Sequence, residues 1–459
     1  MKKITHKLIR CLFLSAGLLM VSGAFNDARA QTSEALIDAL VRKGILTEQE
    51  SEDIKADLAK ESKNAFKVNA SGKETAGINL YGDFRGRYDG VYSSNPLWPD
   101  RSGFRYRLRV GATVLFRDQF EVGFRLSSSQ LNTANSTFGG DPISGNQTFL
   151  DNASKKFIFI DLAYGRWNAI TNMDWSVNLT VGKMENPFVF SDMVFDGDYT
   201  PEGIASQIAY NFNDQHSARF NVAGFALDEV QASSQDPFMI GAQARFDSTW
   251  KFTEDHKPKL QTSIGLALLG VMSDQNLTNG AVPNINFGNT RIDAVGAPGV
   301  NFNPIVVDVS ATYTLASFPG YAAPFPIKFG GDYMNNLAAS RKNQAYSVGV
   351  TFGKAGKKGL WDIGYRWKYL GGDAWYEEFT DSDFGGFYPS TPASLNWGST
   401  GANYRAGTNL RGHIVKATYS PFNAMTLGVT WFLVSPIDKI SATSDTAISR
   451  VQVDAVWKF

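Results

Sequence analysis

The stretch Phe104-Arg105-Tyr106-Arg107-Leu108-Arg109-Val110-Gly111-Ala112-Thr113-Val114-Leu115-Phe116 alternates in hydropathy almost to its end. Successive side chains of a strand point to opposite faces, so Phe104, Tyr106, Leu108, Val110, Ala112, Val114 and Phe116 share one face. Arg105, Arg107, Arg109, Gly111 and Thr113 share the other. A strand in a soluble sandwich usually runs about 5–6 residues. A run this long, aromatic on one face and arginine-rich on the other, fits a strand set between lipid and a wet interior.

The same period recurs along the chain. Phe120, Val122, Phe124 and Leu126 oppose Glu121, Gly123 and Arg125, and Trp361, Ile363, Tyr365, Trp367 and Tyr369 share a face of a later run. Strands are expected near 78–89, 104–116, 119–130, 157–167, 175–184, 204–212, 217–227, 238–250, 259–271, 305–315, 325–336, 344–353, 360–371, 411–420, 424–434 and 449–459. Sixteen is an even number, as a single-chain bacterial barrel requires. Short turns alternate with long loops at 131–156, 185–203, 272–304 and 372–410, the usual asymmetry between the periplasmic and external ends. The expected fold is an all-β transmembrane antiparallel barrel of about sixteen strands over residues 78–459.

Composition agrees. Aromatic residues make up 13% and charged residues only 19% of 459, against roughly 25% charged in soluble domains. After residue 30 no apolar run approaches the ~20 residues of a spanning helix. Lys2, Lys3, Lys7 and Arg10, the apolar run Cys11–Ala24 and the small-x-small triplet Ala28-Arg29-Ala30 read as a secretory signal peptide over 1–30. Its removal takes away the one Cys, and 44 basic against 44 acidic residues become 39 against 43. No disulfide, Cys-ligated metal or nucleic-acid footprint is expected. Between Ser33 and Ser62, Leu36, Ile37, Leu40 and Val41, then Thr47 with Glu50 and Ile54 and Leu58, mark two short amphipathic helices. Residues 31–63 are therefore expected to form a periplasmic helical segment, and 64–77 a linker.

Parity also assigns the interior. With the apolar faces toward lipid, Arg85, Arg87, Arg105, Arg107, Arg109 and Arg125 form a basic wall on three neighbouring strands. The third long loop, 185–203, carries Glu185, Asp192, Asp196, Asp198 and Glu202. Folded inward, it would set an acidic edge against that wall and a transverse field between them. Neutralising Arg105, Arg107 and Arg109 is then expected to lower anion relative to cation permeability.

The stretch Val181-Gly182-Lys183-Met184-Glu185-Asn186-Pro187-Phe188, with Ser191-Asp192, Asp196-Gly197-Asp198 and Pro201-Glu202-Gly203, resembles the signature of a porin family of Gram-negative outer membranes. Leu40 to Glu50 is similar to that family's opening helical segment. The resemblance implies a water-filled pore for passive diffusion of small hydrophilic solutes and ions, with lipid and lipopolysaccharide around it. A final strand ending Val451, Val453, Ala455, Trp457, Phe459 resembles the signal read by the barrel assembly machinery. A homotrimer is expected by analogy with general porins alone. The alternative is a structural protein that tethers the envelope through its N-terminal helices.

Enzyme chemistry finds little support. His216, His256 and His413 are not at metal-ligand spacing, and no Gly-x-Ser-x-Gly elbow occurs. Gly353 to Gly359 lacks the Lys-Ser/Thr of a phosphate loop. Asp192, Asp196 and Asp198 do not have the spacing of an EF-hand loop. No cofactor or metal is expected.

Overall fold

The computed structural model describes residues 67–70, 74–93, 100–117, 119–130, 139–230, 234–252, 259–278, 288–292, 297–387, 404–405, 407–438 and 447–459. Residues 1–30 and 31–63, expected as a signal peptide and a helical segment, and His256 lie outside the described residues. The chain forms two compact units, residues 1–80 with 112–118 and residues 81–111 with 119–459. In the smaller unit, Lys67–Ala70 pairs antiparallel with Glu74–Gly77. Part of the stretch expected as a linker, 64–77, thus has paired, extended backbone.

Sixteen of the described strands form a closed antiparallel barrel. They are β1 (Glu74–Ser93), β2 (Arg101–Phe116), β3 (Phe120–Ser128), β4 (Ile158–Thr171), β5 (Trp175–Lys183), β6 (Glu202–Asn211), β7 (His216–Ala226) and β8 (Phe238–Lys251). The second half comprises β9 (Lys259–Met272), β10 (Pro304–Leu315), β11 (Phe325–Asn336), β12 (Gln344–Gly353), β13 (Trp361–Leu370), β14 (Leu410–Phe422), β15 (Met425–Pro436) and β16 (Ile448–Lys458). Each strand from β3 onward pairs with the next, as β8 does with β9 from Phe238↔Met272 to Lys251↔Lys259. The ring closes where β1 meets β16, from Asp83↔Lys458 to Ser93↔Ile448. Closure leaves no edge strand, which is what a sheet in lipid must achieve.

Parity sorts the two surfaces. Phe104, Ile264, Leu266, Leu268, Val348 and Ile363 are exposed on the outside, whereas Arg107, Arg125, Gln243 and Arg245 are buried on the inside. Soluble proteins do not leave so continuous an apolar surface to water. Trp361 and Tyr369 mark its edges on β13. They stand eight positions apart, roughly 26 Å along the strand, or roughly 20 Å of membrane depth at a tilt of about 40°.

One irregularity redirects a side chain. Between β3 and β4 the register shifts, Arg125↔Leu162 being followed by Leu126↔Ile160. Asp161 is the extra residue, so Asp161 and Leu162 both turn inward and the outward apolar set changes phase from Ile158 and Ile160 to Ala163. The bulge brings the Asp161 carboxylate to Arg125.

Candidate functional site

The interior changes character along the strands of one wall. On β9 the inward set runs Gln261, Ser263, Gly265, then Ala267, Leu269 and Val271. On β10 it runs Thr312, Ser310, Asp308, then Val306, and on β11 Lys328, Gly330, Asp332, then Met334. The long-loop end of this wall is therefore apolar on both faces, and loops cover it from inside. Met184, Phe188, Met193, Val194 and Phe195 pack with Phe225, Met239, Leu269, Val306 and Met334. Trp375, Tyr376 and Phe379 from a second loop join the same cluster.

The first of these segments, residues 184–201, crosses the lumen. It leaves β5 at Gly182, whose φ of 117° is open to glycine; a Cβ there would lie 2.3 Å from the Ala163 carbonyl oxygen. Glu185 then accepts a hydrogen bond from Arg125 on β3. The Val189 N–H donates to Gln243 on β8 at 2.9 Å. Asp192 reaches Arg366 and Lys368 on β13 at 2.8 and 3.1 Å. Asp198 returns to Arg107 and Arg109 on β2, at 2.7 and 3.5 Å. Only a path through the interior touches β3, β8, β13 and β2 in turn.

The second segment, residues 371–387, follows β13 and docks on the first. The Asp196 N–H donates to the Phe379 carbonyl at 2.7 Å, the Asp381 N–H to the Asp192 carbonyl at 3.2 Å, and Trp375 Nε1–H to the Val194 carbonyl at 2.9 Å. Lys368 binds both loops, its Nζ 3.1 Å from Asp192, 3.6 Å from Asp381 and 4.5 Å from the centre of the Phe384 ring. Asp383 reaches Arg87 on β1 at 2.8 Å and Arg450 on β16 at 3.0 Å. A third segment braces the second, since Arg291 and Glu377 form a fully buried ion pair and Asn289 N–H donates to Glu377 at 2.7 Å.

The six arginines expected on the basic wall do sit on β1, β2 and β3, each with a named partner. Arg85 donates to Asn146 at 2.7 Å, and Arg87 binds Asp454 and Asp383. Arg105 meets Asp89 at 3.2 Å, which Arg450 also grips through both oxygens. Arg107 and Arg109 share Asp83 with each other and Asp198 with the loop. Arg125 binds Asp161 and Glu185. The difference from the sequence reading is that four of the seven compensating carboxylates, Asp83, Asp89, Asp161 and Asp454, come from the barrel strands themselves. Of the expected loop acids, Asp192 binds the opposite wall and Glu202 pairs with Lys183 at 3.0 Å. Asp196 has no arginine partner among the described residues; its carboxylate accepts from the Ser382 and Asp198 amides. Lys368, Asp381, Asp383, Arg450 and the Arg291–Glu377 pair were not foreseen. Their signal was Trp375-Tyr376 and Phe379 amid acids in a supposed external loop, since aromatic residues in a loop mark a buried one.

The loop carboxyls divide into two sets. Burial would push Asp198 and Asp383 upward, but Arg107, Arg85 and Arg109 hold Asp198 below the usual carboxylate range, and Arg87 and Arg450 hold Asp383 far below it. Asp192 is likewise held down by Lys368 and Arg366. Burial raises Asp196, with Asp381 and Asp198 adding to it. Burial also raises Asp381, to about 6, against the opposing pull of Lys368. The raised groups favour the docked loops below their ordinary range and lose that contribution as pH rises, Asp381 through about 6. The depressed groups contribute above their ordinary range and lose it in stronger acid. The loops are thus expected to dock most tightly near the ordinary carboxylate range, about pH 4, and to loosen as pH rises through about 6. Amide exchange at Asp196 and Asp381, corrected for intrinsic rate, should be slower at about pH 5 than at about pH 7. Equal protection at both would refute the assignment.

The loops leave a passage beside them. A cavity of about 510 Å³ lies between Arg85, Arg107 and Arg109, the loop acids Asp196, Asp198 and Asp383, and Thr418, Thr430 and Gln452 on β14 to β16. It shares Arg109, Ser144 and Asp198 with a cavity of about 480 Å³ toward the long loops. It shares Asp192, Ile414 and Lys416 with one of about 1040 Å³ at the short-turn end.

Residues 95–266 match the sequence model of a family described as "Putative porin". No curated protein matches. Similar solved structures include OprB of Pseudomonas putida at high pH, 10% identical over 83% of this chain and 94% of that one, with a TM-score of 0.47. OccAB1 of Acinetobacter baumannii is 11% identical over 83% and 97%, with a TM-score of 0.46. The outer membrane channel DcaP of Acinetobacter baumannii is 14% identical over 86% and 99%, with a TM-score of 0.40.

Proposed function

We propose that this chain, whose residues 95–266 match a porin family, is an outer-membrane channel for passive diffusion of small hydrophilic solutes and ions. The observation that carries the reading is the series of three adjoining cavities, each lined in part by charged side chains, running from the long-loop end to the short-turn end of a closed barrel. In this reading passage is controlled where residues 184–201 and 371–387 face Arg85, Arg107 and Arg109. Ion pairs there fix the loops rather than offering free charge, so the eyelet acts first as a rigid size filter. Bound charges of both signs still orient a polar solute and disfavour an apolar one.

A cleaved signal, lipopolysaccharide contact, insertion by the assembly machinery and a trimer form part of this reading. The native mass in mild detergent tests the trimer. The central test is stepwise conductance of the purified protein in planar bilayers. Folded protein that inserts and passes no ions would sink the proposal.

A further inference from the structure

The cationic residues of the interior fall into two classes. Those at the eyelet are arginines paired to carboxylates. At the short-turn end, the cavity of about 1040 Å³ is lined by Lys251, Lys259, Lys328, Lys354 and Lys416, with Arg366 as a sixth cation and Asp192 and Asp362 as the acids. Asp192 is already engaged by Arg366 and Lys368, and Asp362 accepts a hydrogen bond from the Ala355 N–H at 3.0 Å. Among the described residues none of the five lysine side chains makes an ion pair or hydrogen bond. Lys251, Lys328, Lys354 and Lys416 are exposed to the cavity. Lysine suits this place: its ammonium is a hydrated point charge on a flexible stem, so it attracts an anion without fixing it in a fork.

We infer that this vestibule is a low-affinity binding site for small multivalent oxyanions, dicarboxylates or phosphate, and that it rather than the arginine eyelet sets the channel's charge selectivity. Lys416 lines both this cavity and the next, so an anion held here stands at the mouth of the eyelet. A cleft lined by one sign of charge concentrates counter-ions and speeds their access roughly tenfold or more. At the eyelet the same field is largely cancelled by Asp83, Asp198, Asp383 and Asp454.

The test compares the full-length protein with a variant carrying Lys251→Gln, Lys259→Gln, Lys328→Gln and Lys416→Gln. Lys357→Gln with Lys358→Gln serves as a control on an exposed turn outside the lining. The wild type should be anion-selective under a KCl gradient, and butanedioate or inorganic phosphate on the short-turn side should interrupt the current. In the fourfold variant the rate of interruptions should fall roughly tenfold and the reversal potential should move toward cations. The control should keep both. Interruption by one probe alone assigns the site to that oxyanion. An unchanged fourfold variant, or an equal loss in the control, overturns the inference. Because it rests on the channel reading, binding is also read without conduction, by equilibrium dialysis of labelled phosphate against the protein in detergent. Lack of conductance counts against the channel; lack of phosphate retention lost on the lysine substitutions counts against the site.

Discussion

Glu377→Leu should release the inner loops while leaving the barrel folded. Glu377 and Arg291 are fully buried, and Glu377 also accepts the Asn289 N–H. Removing the carboxylate takes the ion-pair partner Glu377 from a buried guanidinium, a loss of roughly 3–5 kcal/mol. Arg291 anchors the third segment through the Leu277 carbonyl at 2.7 Å, so the loss falls on the bracing of residues 371–387. Conductance should rise severalfold and become noisy, while the heat-resistant gel mobility of the folded barrel persists. Arg291→Met with Glu377→Leu should recover much of the lost stability, because an apolar pair no longer strands a charge. A double variant as unstable as the single one would show that packing, not charge, makes the brace.

Trp375→Ala is expected to have a comparable effect by another route. The indole is fully buried, with ring centres 5.2 Å from Phe379, 6.0 Å from Phe195 and 6.4 Å from Phe302. It joins both loops to the wall, and its Nε1–H is what ties Val194 to the second loop. Truncation removes that packing and leaves a cavity, for roughly 3–5 kcal/mol. Amides of residues 184–201 and 371–387 should exchange faster while those of β8 to β13 keep their protection. Unchanged exchange in both loops would mean that the ion pairs alone hold them.

The strand pattern was legible because a membrane barrel must alternate, and all sixteen expected strands lie within a few residues of the observed ones. Parity alone puts the six arginines on the inward faces of their strands. It does not identify their partners. Asp161 faces Arg125 only because a bulge inserts one residue into β4, and a period of two cannot announce its own interruption. The second inner loop was hidden because Gly, Ser and Asp around it suggested solvent. A better signal was available in the strands: Met239, Leu269, Val271, Val306 and Met334 are apolar at inward positions. A water-filled lumen gives no reason for them, so protein had to fill that level. The unpaired lysines were also inward by parity, but their lack of acidic partners depends on where the loops do not reach.

Closure of the ring by β1 against β16 has a consequence for how the molecule is made. Asp454 pairs with Arg87 and Arg450 with Asp89, joining residues about as far apart in sequence as the barrel permits. Such contacts carry the greatest loop-closure entropy and form late. Until residues 448–458 have been synthesised, any partial sheet has two open edges that will pair with other chains. A nonsense mutation late in the reading frame should therefore be more harmful than its small loss of mass suggests, because it abolishes the seam rather than a sixteenth of the wall.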